Sequence, residues 1–276
     1  MKLHLVKFLR RPLLAVFSRV NPGDITIRHH WTGDSVRLHS YKHKGYWYHG
    51  RHREQWMMET FARLIGPGDT VIDVGGHIGY TALWFCQLVG SGKVYVFEPG
   101  PNNLPYLKRN IQDHENIALF TLGLGNVAAT QVLHVENLTG MNNTCVEDSP
   151  IYAQNAAFNG LAAKTEAVPI EVVRFDDFVR EQGLHPNFIK IDVEGFEAEV
   201  LEGMRETLHA TRPMLMVEVT RKRDAVWEIF REAGYALFRD DLRRLANTDE
   251  LRGNMFCLHE QAHRDKLLAL GVSNPN

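Results

Sequence analysis

Five carboxylates and one glycine cluster carry the chemistry legible in this chain. Asp73 closes the apolar run Thr70-Val71-Ile72, and Val74-Gly75-Gly76-His77-Ile78-Gly79 follows at once. Glu98 closes a second apolar run, Val94-Tyr95-Val96-Phe97; Asp192 and Glu194 stand in Lys190-Ile191-Asp192-Val193-Glu194-Gly195, and Glu218 follows Val217. Glycines between an apolar strand and a helix let a ligand lie directly against the backbone, and a helix N-terminus leaves N–H groups unpaired. Strand, glycine turn and helix together make a nucleotide site. A carboxylate ending the next strand accepts hydrogen bonds from both ribose hydroxyls.

Spacing separates the nucleotide classes. The dinucleotide fingerprint G-x-G-x-x-G is missing; the glycines read Asp73-x-Gly75-Gly76-x-x-Gly79, with Glu98 placed 23 positions after Gly75, the interval of a βαβ unit. With Phe97-Glu98-Pro99, Lys190-Ile191-Asp192-Val193-Glu194-Gly195 followed by Glu197, and Val217-Glu218 in this order, the chain resembles the FkbM family of S-adenosylmethionine-dependent methyltransferases over about residues 54 to 260. The resemblance implies a Rossmann-like class I methyltransferase fold, α/β with a mostly parallel seven-stranded sheet and an antiparallel last strand. It also implies S-adenosylmethionine as donor, held by Asp73, Gly75, Gly76, His77 and Gly79 on the first turn, with Glu98, Pro99, Asn102 and Asp192 beside it. One departure stands out. Where relatives often place an acidic residue for the adenine amino group, Leu122-Gly123-Leu124-Gly125 offers none before Asn126.

A sulfonium donor carries its own leaving group, so the protein has to align a nucleophile and, for a hydroxyl, take its proton. Alignment is worth on the order of 7–11 kcal/mol, and a positioned base roughly 10²–10⁴-fold. Asp192 is the first choice for that base and Glu194 the second, because a carboxylate at a strand's carboxyl end lies where donor and acceptor meet. Each has a competing role: Asp192 in orienting the donor's amino-acid moiety, Glu194 in capping the next helix. Either can also join Glu218 around a divalent cation, for which oxygen ligands suit magnesium; solvated strand ends are the plainer reading, and no metal ligand is assigned. His77 replaces the usual central glycine and reads as a turn residue.

The elements that must position these groups alternate. A helix over 54–64, strands over 71–74 and 94–97, a helix over 80–88, a helix over 102–112 and a third strand over 117–122 predict parallel order and right-handed crossovers. Short strands are expected over 131–136 and 169–173, with Asp176 or Asp177 capping the helix that follows. Core strands over 188–192, 213–219, 235–238 and 254–258 complete the sheet, with one helix over 196–208 and another over 226–233. Residues 137–165 form a polar insertion, a candidate lid or acceptor loop.

Ahead of this domain, taken as 53–276, residues 1–52 read as a helix and a β-rich extension. Residues 1–20 combine basic and apolar side chains in a helix that either packs on the domain or touches an anionic membrane surface; their apolar run is too short to span a bilayer. A hairpin turned at Lys44-Gly45 is expected between 40–43 and 46–48. Its aromatics, Tyr41, Tyr46, Trp47 and Tyr48, suit either an acceptor-facing lid or a structural cap.

The chain has 276 residues, 44% of them hydrophobic, enough for one large α/β domain and an extension. A formal charge of −2 without a long Lys/Arg run gives no footprint for nucleic acid. Cys86, Cys145 and Cys257, odd in number and far apart, suggest reduced thiols of a cytoplasmic protein and neither a disulfide framework nor a zinc site. The expected activity is O-methyl transfer to a hydroxyl of a small molecule or a glycan, most naturally a sugar in a surface glycan or glycosylated metabolite. The alternatives are a non-catalytic S-adenosylmethionine- or glycan-binding module and a nicotinamide-dependent oxidoreductase.

Overall fold

A computed structural model describes residues 16, 20, 22–136, 142–146 and 165–272. The basic segment 1–20 lies outside the described residues except for Val16 and Val20, and the expected acceptor loop 137–165 does so except for 142–146 and its last residue.

Among the described residues the main sheet has seven strands. In chain order they are β3 (Thr70–Val74), β4 (Lys93–Phe97), β5 (Ile117–Phe120), β9 (Phe188–Ile191), β10 (Met214–Val219), β11 (Tyr235–Phe238) and β12 (Gly253–His259); in space they run β11-β12-β10-β9-β3-β4-β5. β10, β9, β3, β4 and β5 are parallel, and β12 runs antiparallel between β10 and β11. A parallel strand covered on both faces reads as a continuous apolar run, which is why Val71, Ile72, Phe188, Ile189 and Ile191 have no exposed surface. One face packs on α2 (Gln55–Leu64), α3 (Tyr80–Val89), α4 (Leu104–Ile111) and α9 (Arg264–Ala269), through Phe61, Phe85 and Leu107. The other packs on α5 (Phe175–Glu181), α6 (Glu197–Gly203), α7 (Arg205–Ala210) and α8 (Arg223–Glu232), through Phe175, Leu201 and Phe230.

Three expectations change. The segment 40–48 is a turn followed by the helix α1 (Lys44–His49), and the hairpin lies earlier, between β1 (Asp24–Arg28) and β2 (Ser35–His39). Tertiary contacts override the local β-propensity of the aromatics there: the Tyr46 ring packs at a tilt against Tyr80, and Trp47 donates to the Ser40 carbonyl at 2.6 Å. The span 196–208 is two helices, broken at Met204. Asp176 does not cap its own helix. Its carboxylate accepts from the N–H groups of Glu206 and Thr207 and from the Thr207 hydroxyl, capping α7 instead.

The described residues of the N-terminal unit share the core of the main domain. Val36, Leu38 and Tyr46 belong to the cluster on the α3 face. Asn110 clamps the edge of β2, accepting from Arg37 N–H at 2.8 Å while its amide donates to the carbonyls of Arg37 and Ile78. Beside the main sheet, β6 (Gly123–Gly125), β8 (Thr165–Arg174) and β7 (Ala129–Glu136) form a second sheet in that spatial order. It borders the site from the far side.

Candidate active site

Register and pleat bring the charged groups together. Asp73 lies directly opposite Lys190, and Lys190 opposite Met216. Side chains two positions apart on a strand share a face, so Asp73, Lys190, Asp192 and Glu218 all project to the same side at the carboxyl ends of β3, β9 and β10. That is where the strand order reverses, between β9 and β3, and where an open parallel sheet holds its ligand. A cavity of about 310 Å³ opens there, within the usual range for ligand pockets.

Lys190 organises the floor. Its ammonium donates to Asp73 Oδ1 and to the Gly75 carbonyl, each at 3.1 Å, and lies 3.3 Å from Asp192 Oδ2. Burial opposes its charge, but Asp73 and Asp192 hold it above the ordinary lysine range. Asp73, fully buried, does not reach the cavity wall. It positions Lys190, and through it Asp192 and the turn.

The turn differs from a simple amide cradle. The N–H groups of Gly75 and Gly76 both donate to the Phe97 carbonyl, so these two glycines offer a ligand a bare backbone surface and no free N–H. Gly75 has φ +84°, and a side chain on it would strike the Asp192 carbonyl. Gly79 lies away from the cavity; a Cβ there would run into Leu107 and Ile111 of α4, so its smallness serves helix packing. His77, at φ +49°, donates its backbone N–H to Glu98 Oε2 at 2.8 Å, and its Nδ1 meets the Tyr46 hydroxyl at 3.1 Å.

Glu98 closes the other end. Its Oε1 accepts from Gly100 N–H at 2.7 Å and from the Asn103 amide at 3.4 Å, while burial pushes its carboxyl up to about 7. Pro99 lines the cavity beside it. Asn102 does not: its side chain is turned to Asn143, whose amide donates to Asn102 Oδ1 at 2.7 Å, and to the Glu136 carbonyl. The neighbour Asn103 lines the cavity, with its buried Oδ1 unpartnered. Leu122, Leu124 and Ile170 form an apolar wall of the cavity.

At the carboxyl ends of β9 and β10, Asp192, Glu194 and Glu218 each offer a carboxylate oxygen within 4.8 Å of the others. Like charges so close do not all ionise together. Burial, with Asp192 and Glu197 next, pushes Glu194 up to about 8, and Asp192 first, then burial, holds Glu218 well above the ordinary glutamate range. The cavity also takes in Tyr46, one of the aromatics that suit a lid, Thr81 just past the glycine turn, and Arg53, Glu54 and Met57, which stand in no motif and which only folding brings near.

This strand order, with an antiparallel strand between β10 and β11 in an otherwise parallel arrangement, is that of a Rossmann-like class I methyltransferase fold. Residues 73–237, more than half of the chain, match the Methyltransferase FkbM domain, and the chain belongs to that family. It is 27% identical over 159 residues to the 2-O-methyltransferase NoeI of Sinorhizobium fredii (54% of this chain, 63% of that protein) and 29% identical over 168 residues to the hexuronic acid methyltransferase AglP of Haloferax volcanii (60% and 62%). It also aligns with the crystal structure of an FkbM methyltransferase from Methylobacillus flagellatus at TM-score 0.45 and 17% identity, over 72% of this chain and 50% of that one. The chain spans 60 to 66% of the length of the curated relatives it matches.

Proposed function

We propose that this protein is an S-adenosylmethionine-dependent O-methyltransferase acting on a sugar hydroxyl of a glycan or glycosylated small molecule. The observation that carries the reading is the polarity of the cavity: Glu98 and the bare Gly75-Gly76 surface at one end, three crowded carboxylates at the other. Glu98 would hold the donor's ribose and Leu122 and Leu124 its adenine, and the bound sulfonium would supply an activated methyl group to the acceptor oxygen, with the neutral thioether as leaving group. The hydroxyl proton passes to Glu194, whose affinity for it is poised near neutrality, the best position for a general base. Asp192, 3.3 Å from the Lys190 ammonium, is placed to orient the reacting groups. The kinship to a 2-O-methyltransferase and a hexuronic acid methyltransferase supports a hydroxyl on a sugar-like acceptor.

Calorimetric titration with S-adenosylmethionine, S-adenosylhomocysteine and NAD tests the donor. Binding of the two sulfur compounds and not NAD is expected, followed by turnover of glycan acceptors; binding of NAD alone would refute the reading, and donor binding without any turnover would favour a non-catalytic module. The same titration with magnesium and with a chelator tests a cation among Asp192, Glu194 and Glu218, through which the mechanism above routes no step. Asp73→Asn, Glu98→Gln and Asp192→Asn are each expected to weaken donor use while the fold persists.

A further inference from the structure

Two described side chains that line the cavity carry a permanent positive charge, and they differ in how they are engaged. Lys190 is saturated by Asp73, Asp192 and the Gly75 carbonyl. Arg53 is not. Its guanidinium lies 4.4 Å above the Tyr46 ring, and its Nη2 is 3.0 Å from Glu54 Oε1. Its Nε is buried and has no hydrogen-bond partner, although the side chain as a whole is only 17% exposed. A buried, unpaired N–H of a cation is costly unless a ligand completes it.

The platform that holds Arg53 is built against the donor turn. Tyr46, 7% exposed, reaches the His77 side chain with its hydroxyl and lies 4.6 Å from the Tyr80 ring at the start of α3. Gly45 is open on the Arg53 side, where any Cβ would strike the guanidinium. The methyl donor ends in an amino acid whose carboxylate has to enter a cavity already bearing Glu98, Asp192, Glu194 and Glu218. An anion there needs a cation, and a planar guanidinium is the group suited to a carboxylate.

We infer that Arg53 is the counter-ion of the donor's amino-acid carboxylate, held in place by Tyr46. The inference rests on S-adenosylmethionine being the donor. It makes Tyr46 of the N-terminal unit a support of the donor site, and it places the counter-ion before residue 73, where the family match begins.

The test is a cycle of ligand and side-chain deletion on the full chain, read by calorimetry. S-Adenosylmethionine and its decarboxylated form differ only in the carboxylate; methylthioadenosine lacks the whole amino acid. The intact protein should prefer the carboxylate-bearing donor by roughly 10- to 100-fold, the range of a charge-assisted hydrogen bond. In Arg53→Met that preference should collapse toward unity while methylthioadenosine binds as before, and Arg53→Lys, which keeps the charge but not the fork, should retain part of it. An unchanged preference in Arg53→Met overturns the inference, as does an equal loss of affinity for all three ligands, which marks a purely structural role. If the unsubstituted protein binds none of the three, the donor reading itself fails, a result separate from either.

Discussion

Replacing Lys190 by methionine is the sharpest probe of how the site is held together. The ammonium neutralises Asp73, which has no exposed surface, and Asp192, which faces Glu218. Removing one partner of a buried pair costs about 3–5 kcal/mol, because the remaining charge is stranded away from water. At about 2–4 °C per kcal/mol for a chain of this size class, Lys190→Met should lower Tm on the order of 10 °C. Asp73→Asn should cost less, about 1–2 kcal/mol, since Lys190 keeps Asp192 and the Gly75 carbonyl. The double variant removes the stranded charge as well and should be more stable than Lys190→Met alone. Urea and thermal unfolding of the four proteins at pH 7 measure the cycle. A Lys190→Met protein melting within about 2 °C of the parent, or a double variant equal to the sum of the singles, would refute the coupling.

Glu194, held up at about 8, is protonated at neutral pH and becomes the base as pH rises. The kcat/KM profile should therefore climb with unit slope to about pH 8 and flatten above, and Glu194→Gln should lose roughly 10²–10⁴-fold; a flat profile between pH 6 and 9 would exclude it as the base. Gly75→Ala combines a left-handed φ with a collision against the Asp192 carbonyl, so a loss of about 3 kcal/mol or more is expected, against only the φ penalty of about 1–2 kcal/mol for Gly33→Ala, which meets nothing within 4 Å. His43 and His263 each accept a backbone N–H on Nδ1, from His39 and His259, and burial lowers them to about 3 and about 4. Their folded values lie below the unfolded value, so the stability they add is complete above about pH 6.5 and lost as pH falls through about 4. Imidazole NMR titration should find both neutral at pH 5, and His263→Asn, which keeps an acceptor without titrating, should flatten the fall in Tm across that window.

The sequence by itself determined the parallel core and the donor turn, because both are written in local terms. An uninterrupted apolar run of strand length, a carboxylate at its end and glycines at fixed offsets specify β3, the turn and α3 without reference to anything distant. The repeat of that pattern at Glu98, Asp192 and Glu218 predicted that their side chains converge, and they do. Tertiary structure alone decided the rest. Asp176 looked like the cap of its own helix and caps α7, since a carboxylate serves whichever open N–H groups packing brings to it. Asn102 and Asn103 are equivalent in the chain, yet rotation about the start of α4 turns one to the second sheet and the other to the cavity. The aromatics of 41–48 had strand composition and became a helix because Tyr46 finds His77 and Tyr80. Arg53 carried no signal at all. Its meaning comes from a charge placed in a crevice by contacts between segments far apart in sequence, and no local pattern encodes such a contact.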